Sequence, residues 1–274
     1  MQLLVAALSE EVSGILRTGS FETVPCPDEY IAYRSRPDSE RNAVDTAIVL
    51  TGTGRTRASN GSRWAVDHFK PDSVLSIGYS GGTVKTLQPG DLVLATQLYR
   101  LDGSPFYWDP SQLGDPLVPD RSLLAAARNA VEVAGIDFEM GPIVNVPTIA
   151  KNAGMKQWIG DELGGVCVEM ESFMVCEVAA DAELPFVVVR AVVDTVEMDL
   201  PDLVGKLGQD PDSGRVIPTI KHLSRNPTDI ADLARLGRYA TRARRALTGF
   251  FNEFSSELAA AAESTVSEAA GQVL

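Results

Sequence analysis

Basic residues are in short supply in this chain: 24 lysines and arginines stand against 37 aspartates and glutamates, a formal net charge of −13. The resulting field repels phosphate backbones, and no Lys/Arg-rich stripe with interleaved aromatics offsets it, so nucleic acid is not an expected partner. Histidine is scarcer still. His68 and His222 are the only two, each isolated in sequence. No His/Cys/acid cluster has metal-ligand spacing, so neither a metal nor another cofactor is expected. The three cysteines, Cys26, Cys167 and Cys176, form an odd set without framework spacing, which argues against a disulfide scaffold and fits a reducing compartment. Long apolar runs are missing too. The opening Met1–Leu8 has no basic segment before it and runs straight into Ser9, Glu10 and Glu11, so the expected location is cytoplasmic, with peripheral attachment at the inner membrane as the alternative.

What is present is an ordinary globular composition, 45% hydrophobic and 22% charged, arranged as short apolar runs that alternate with helical patterns. That alternation predicts an α/β fold, a mixed and mainly parallel sheet flanked by helices. Strands are expected at 2–8, 45–50, 73–78, 92–99, 141–146, 166–169 and 186–193, the last being Val-rich, bounded by Pro185 and Asp194, and therefore central. Helices are expected at 57–69, 121–134 and 172–182. Residues 101–120, rich in proline and aspartate, read as an irregular excursion that shapes the mouth of a pocket. From 197 to 227 the pattern dissolves, apart from a short apolar stretch at 217–223. Thr228 then suits the N-cap of a helix over 229–254, followed by an Ala-rich tail. One domain over 1–274 is expected, with an extended C-terminal helical segment from about 197.

In open α/β sheets ligands bind beyond the carboxyl ends of the strands, and acids follow three of these ends: Glu10 and Glu11, Glu169 and Glu171, and Asp194. The first two pairs admit a second reading, as charges in the first turn of a following helix. Asp194 is harder to dismiss, because a carboxyl directly after a buried Val-rich strand begins poorly solvated, where ionisation is costly. The Gly52-x-Gly54 pair lacks the rest of a dinucleotide fingerprint and reads as a tight strand-to-helix turn. Gly78-Tyr79-Ser80-Gly81-Gly82 reads either as a plain turn or as a loop whose backbone approaches a sugar or base closely.

Taken in order, five segments carry a more specific signal: Ala7-Leu8-Ser9-Glu10-Glu11-Val12, Thr51-Gly52-Thr53-Gly54, Ser76 to Gly82, Val168-Glu169-Met170-Glu171, and Arg190-Ala191-Val192-Val193-Asp194. Together they resemble the nucleosidase branch of the nucleoside phosphorylase superfamily, typified by methylthioadenosine/S-adenosylhomocysteine nucleosidase, over roughly the first 195 residues. The resemblance implies a three-layer phosphorylase-like fold, a homodimer and hydrolysis of an N-glycosidic bond. It makes Asp194 the acid that protonates the purine at N7, Glu11 the group that positions and deprotonates water, and Glu171 the holder of ribose hydroxyls. Met170 would pack against the sugar, with Val168, Ile149 and Ala150 flanking the base. Glu169, Gly78, Ser80, Gly81 and Arg190 join them as substrate-binding residues. Water is the expected nucleophile, since the segment before the glycine-rich run, Ser76-Ile77-Gly78, has no cation; Arg55 and Arg57 support the phosphorylase alternative. Methylthioadenosine/S-adenosylhomocysteine or futalosine-type hydrolysis, and a non-catalytic nucleoside- or lipid-binding role, are further alternatives.

The chain departs from typical methylthioadenosine nucleosidases in having Val193 before the acid and about 80 residues after it. That tail, with Met198-Asp199-Leu200-Pro201, resembles the hopanoid-associated phosphorylase group, which includes adenosylhopane nucleosidase. The implied substrate is a small-molecule nucleoside linked to a triterpenoid lipid. Within the tail, Arg235, Arg238, Arg242, Arg244 and Arg245 occur together with Leu233, Leu236, Leu247, Phe250 and Phe251. This pattern suits a helix lying on an anionic membrane, or an ordinary surface helix with its apolar side on the core.

Overall fold

The structure is a computed structural model that describes residues 1–36, 44–103, 107–201 and 227–271. The apolar stretch at 217–223 lies outside the described residues. Nine strands form one mixed sheet: β1 (Gln2–Ala6), β2 (Phe21–Val24), β3 (Ile31–Ser35), β4 (Thr46–Leu50), β5 (Ser73–Gly82), β6 (Leu92–Arg100), β7 (Phe138–Asn145), β8 (Cys167–Glu169) and β9 (Phe186–Asp194). Their order is β2-β3-β4-β1-β5-β8-β7-β6-β9, and β9 also pairs with β5. The second half of the sheet therefore closes into a ring. β9 runs parallel to β5 and antiparallel to β6, which makes it central and explains its richness in valine: both of its faces are covered.

Helices α1 (Ser9–Thr18), α2 (Arg55–Phe69), α3 (Arg121–Ala134), α4 (Ala153–Leu163), α5 (Ser172–Asp181) and α6 (Pro227–Gly271) clothe the sheet. Alternation along the strands assigns the faces. Leu3, Val5, Val49, Val188 and Val192 pack with Ala58 and Ala65 of α2 and with Phe173 and Cys176 of α5. Leu4, Ile48, Ile77, Val187 and Val189 pack with Val12 and Ile15 of α1, Leu123 and Val131 of α3, and Leu247, Phe250 and Phe254 of α6. The result is the expected arrangement of helices on both sides of a mixed sheet.

Four differences from the sequence reading have physical causes. Gly78–Gly82 is not a loop but the continuation of β5, whose small residues let β8 and β9 pair closely along it. The β2–β3 hairpin escapes the pattern because β2 lies at the edge of the sheet and half-exposed. Helix α4 was not anticipated either, although Asn152 caps it by accepting from the Met155 N–H. At the tail, α6 is one helix of 45 residues, and Ala243, Leu247, Phe250, Phe251 and Phe254 are buried in the core. Its apolar side over this stretch faces protein, as in the second reading of the sequence. No helix among the described residues is long and apolar enough to cross a membrane.

Candidate active site

The strand ends converge on a cavity of about 220 Å³ lined by Leu8, Glu11, Tyr79, Ser80, Gly81, Val146, Ile149, Ala150, Val168, Glu169, Met170, Glu171, Val193, Asp194 and Leu200, among others. Three sequence-distant acids, Glu11, Glu171 and Asp194, share this one space. Val168, Glu169, Met170, Ser80, Gly81, Ile149 and Ala150 are brought to it as well. Gly78 and Arg190 are not on the cavity surface; they stand immediately behind it.

Each acid is held differently. Glu11, in the first turn of α1, turns back so that one carboxylate oxygen accepts from the Ala7 N–H at 2.9 Å and the Leu8 N–H at 2.8 Å, while the other accepts from the Tyr79 N–H at 2.9 Å. Glu11 thus sits in the first turn of the helix and also faces the cavity. Burial raises its pKa, and the three amides and the Arg190 charge work against that rise. Glu171 receives the Gly54 N–H at 2.7 Å, which is what the Gly52–Gly54 turn contributes. Burial, with Glu169 nearby, pushes its pKa up to about 8.

Glu169 plays a different part. It accepts the backbone N–H groups of Glu171 and Ser172 at 2.7 and 2.6 Å and the Asn145 amide at 2.9 Å, and lies 3.2 Å from Arg190. It anchors the start of α5, as its helix-charge reading anticipated, and its bonding capacity is largely committed to protein donors.

Arg190 is 2% exposed. Its Nη2 donates to Ser76 Oγ at 3.0 Å, so the cation that the sequence lacks before the glycine-rich run arrives from β9 instead. Gly78 makes this possible: a Cβ there would sit 2.1 Å from the Arg190 guanidinium and 2.9 Å from Glu11 Oε1. Ser76→Ala, which removes one neutral partner of this buried cation, is expected to destabilise the fold by about 1.5–3 kcal/mol in chemical denaturation.

Asp194 ends β9 at a bulge. Ser80 pairs with Val192 and Gly81 with Asp194, so Val193 is the extra residue and the strand turns its acid towards the cavity. A residue absent from every sequence motif meets it there. Lys156 of α4 is fully buried, and its Nζ donates to Asp194 Oδ2 at 2.5 Å, to the Thr195 carbonyl at 2.6 Å and to the Met198 carbonyl at 2.7 Å. Gly81 leaves room for the pair, since a Cβ would lie 3.1 Å from Asp194 Oδ2 and 3.4 Å from the Lys156 stem. Burial raises the Asp194 pKa, and Lys156 opposes the rise without cancelling it. The signal for Lys156 was available in principle: once α4 is drawn, this lysine falls on the same side as the buried Ile159.

Arg55, one of the two arginines weighed with Arg57 for phosphate binding, is engaged. It donates to Asn145 Oδ1 and Asp102 at 2.7 Å each and to the Leu101 carbonyl at 2.8 Å. In doing so it fastens the start of the 101–120 excursion to the cavity's rear wall, where Leu101, Val144, Val146, Ala150 and Val168 form a small apolar cluster with Trp108 and Trp158.

The phosphorylase superfamily model matches residues 3–207. The chain belongs to the phosphorylase superfamily. A 5'-methylthioadenosine/S-adenosylhomocysteine nucleosidase from Geobacillus kaustophilus is 27% identical over 200 residues, spanning 70% of this chain and 83% of the relative. Among solved structures, the 5'-methylthioadenosine/S-adenosylhomocysteine nucleosidase of Neisseria meningitidis, in complex with methylthio-immucillin-A, superposes with a TM-score of 0.71 at 20% identity, covering 93% of this chain and 98% of that one. The futalosine hydrolase of Helicobacter pylori superposes with a TM-score of 0.67 at 20% identity, covering 92% and 97%. These solved structures share the fold. Each of the five sequence segments reaches the cavity or its immediate support, and Val146, Ile149, Ala150 and Leu200 line it from outside them.

Proposed function

We propose that this superfamily member is a purine nucleosidase that hydrolyses the N-glycosidic bond of a 5′-substituted adenosine and releases adenine. One observation carries the reading: Asp194, a carboxyl whose pKa burial raises, shares a single cavity with Glu11 and Glu171. Cleavage proceeds through a transition state resembling an oxocarbenium ion, in which one carboxyl donates a proton to the departing base while an ionised one supports positive charge and activates water. Asp194 takes the first task, giving its proton to N7. Glu11, oriented by three backbone amides, takes the second, and Glu171 binds ribose hydroxyls.

Water is favoured over phosphate by charge. Arg190 is already paired with Glu169, Arg55 with Asp102, and Lys156 with Asp194. A phosphate would enter beside Glu11 without an uncommitted partner among these three cations. The kinship with 5'-methylthioadenosine/S-adenosylhomocysteine nucleosidase and with futalosine hydrolase points to small 5′-modified nucleosides. The finer reading, adenosylhopane, draws on the tail resemblance and on the apolar side chains Leu8 and Leu200 at the cavity, which suit a hydrocarbon next to the sugar.

Product analysis with methylthioadenosine, S-adenosylhomocysteine, futalosine and a triterpenoid-substituted adenosine, with and without phosphate, tests the reading. Free base with a free sugar, unchanged by phosphate, is expected. A sugar 1-phosphate formed only with phosphate would establish the phosphorylase instead, and no base from any of these would remove the enzymatic reading.

A further inference from the structure

Among the described residues two buried ion pairs stand at the cavity, Arg190–Glu169 and Lys156–Asp194, and the second sets against the proton donor a cation that the mechanism above leaves unused. Three features set it apart from a structural salt bridge. It involves the proton donor itself, at 2.5 Å. The Lys156 head group meets three acceptors, Asp194 Oδ2 and the Thr195 and Met198 carbonyls, which matches the three N–H groups of an ammonium. The side chain is fully buried, where an ammonium is retained only if it is paired and completely hydrogen-bonded.

From this geometry we infer that Lys156 is a positioning residue that sets the acidity of Asp194, holding the carboxyl in place and stabilising the carboxylate left after the proton has gone to the base. The inference rests on Asp194 being the proton donor. In the step itself, the Asp194 O–H bond breaks, a purine N–H bond forms, and the electron pair of the O–H bond stays on the carboxylate, which faces the Lys156 ammonium. Lys156 loses no proton. After base release, solvent reprotonates Asp194.

The same three bonds give Lys156 a second consequence. By gripping the carbonyls of Thr195 and Met198 it folds the chain beyond β9 back onto α4, where Asp199 accepts from the Ala153 N–H and the Leu200 N–H donates to the Lys151 carbonyl. Leu200 is thereby set into the cavity wall. The acid and this wall are therefore fixed by one side chain.

Other charges around the cavity are accounted for. Glu11 from α1 is held by the Ala7, Leu8 and Tyr79 amides, Glu169 from β8 by Asn145, Arg190 and the start of α5, and Glu171 by Gly54. Asp199 is tied to α4. Lys156 is the charge in direct contact with Asp194. Removing it leaves burial to raise the Asp194 pKa unopposed.

The experiment compares wild-type protein with Lys156→Met and Lys156→Gln in two readouts. In the first, the pH profile of kcat/KM, the alkaline limb reports loss of the proton from Asp194 in the free enzyme. Both variants are expected to move that limb to higher pH by at least about one pH unit, because an opposite charge this close lowers a carboxyl's pKa by about 1–3. Plateau activity is expected to fall by about tenfold, since the donor has become a weaker acid. In the second readout, ¹³C-carboxyl NMR of aspartate-labelled protein, with Asp194 assigned by its absence in Asp194→Asn, should give the same upward move without any substrate. A limb and a carboxyl titration that both stay put in a folded variant overturn the inference. A carboxyl that moves in protein that turns over no nucleoside upholds it and rejects the nucleosidase reading instead. Should Lys156→Met not fold, Lys156→Gln, which keeps hydrogen-bond donors but no charge, supplies the same comparison.

Discussion

Asp194→Asn is expected to cost about 10²–10⁴ in the rate of base release and, unlike a substitution at a plain surface acid, to weaken the fold as well. The first effect follows from losing the proton donor. The second follows from Lys156. An asparagine keeps an oxygen that can accept from Nζ but has no charge, so the substitution leaves a fully buried ammonium with only the Thr195 and Met198 carbonyls and an amide around it. Removing one member of a buried ion pair typically costs about 3–5 kcal/mol, and the surviving acceptor places Asp194→Asn near the lower end. Urea denaturation and single-turnover base release on the same preparation separate the two effects. The decisive comparison is the double variant Asp194→Asn/Lys156→Met. It removes both charges, so it is expected to recover part of the lost stability while recovering none of the activity. A double variant no more stable than Asp194→Asn would mean that the pair is not the source of the loss.

The sequence carried the fold well where burial is complete. β1, β4, β5 and β9 carry short apolar runs because both faces of the sheet are covered, and the acids at the ends of β1, β8 and β9 can be named without any need for coordinates. It carried less where the signal is local or split. The β2–β3 hairpin is short and half-exposed, so no apolar run marks it. Gly78–Gly82 looks like a turn because glycine is the commonest turn residue, whereas here small residues permit close strand pairing and leave space for the guanidinium of Arg190. Lys156 was illegible for another reason. Its partner lies 38 residues away, on an element that the one-dimensional pattern did not reveal, and a lysine reads as surface until the helix beneath it is placed.

The site's charge arrangement also explains why composition alone misleads about anion binding. Arg190 and Arg55 stand behind the cavity lining, and both are bonded to carboxylates of the protein. The acids outnumber the cations around this space, and the excess is eased because burial raises the pKa of Glu11, Asp194 and Glu171, that of Glu171 to about 8, so that Glu171 keeps its proton near neutral pH. A phosphate would worsen that imbalance, whereas a sugar on its way to an oxocarbenium ion relieves it. The cavity is therefore better matched to developing positive charge than to an incoming anion.

That imbalance should be measurable as a pH dependence of stability centred on Glu171. Burial and the neighbouring Glu169 raise its pKa from 4.5 to about 8. Between these two values the unfolded chain has released a proton that the folded chain retains, so folding becomes less favourable as pH rises through the window and levels off above about 8. A single group of this kind contributes a slope of up to about 1.4 kcal/mol per pH unit. Glu171→Gln has no proton to lose. Its thermal unfolding midpoint is expected to fall less steeply than the wild type's between pH 5 and 8, and to exceed the wild type's at pH 8. Glu11 and Asp194, raised in the same direction, keep some slope in the variant. Catalysis should move the other way, with base release reduced by up to about tenfold, the loss expected from weakening one neutral hydrogen bond to a ribose hydroxyl. Parallel pH–stability curves for the two proteins would mean that Glu171 is ionised throughout the range, and the account of it as a neutral carboxyl in the folded protein would then be wrong.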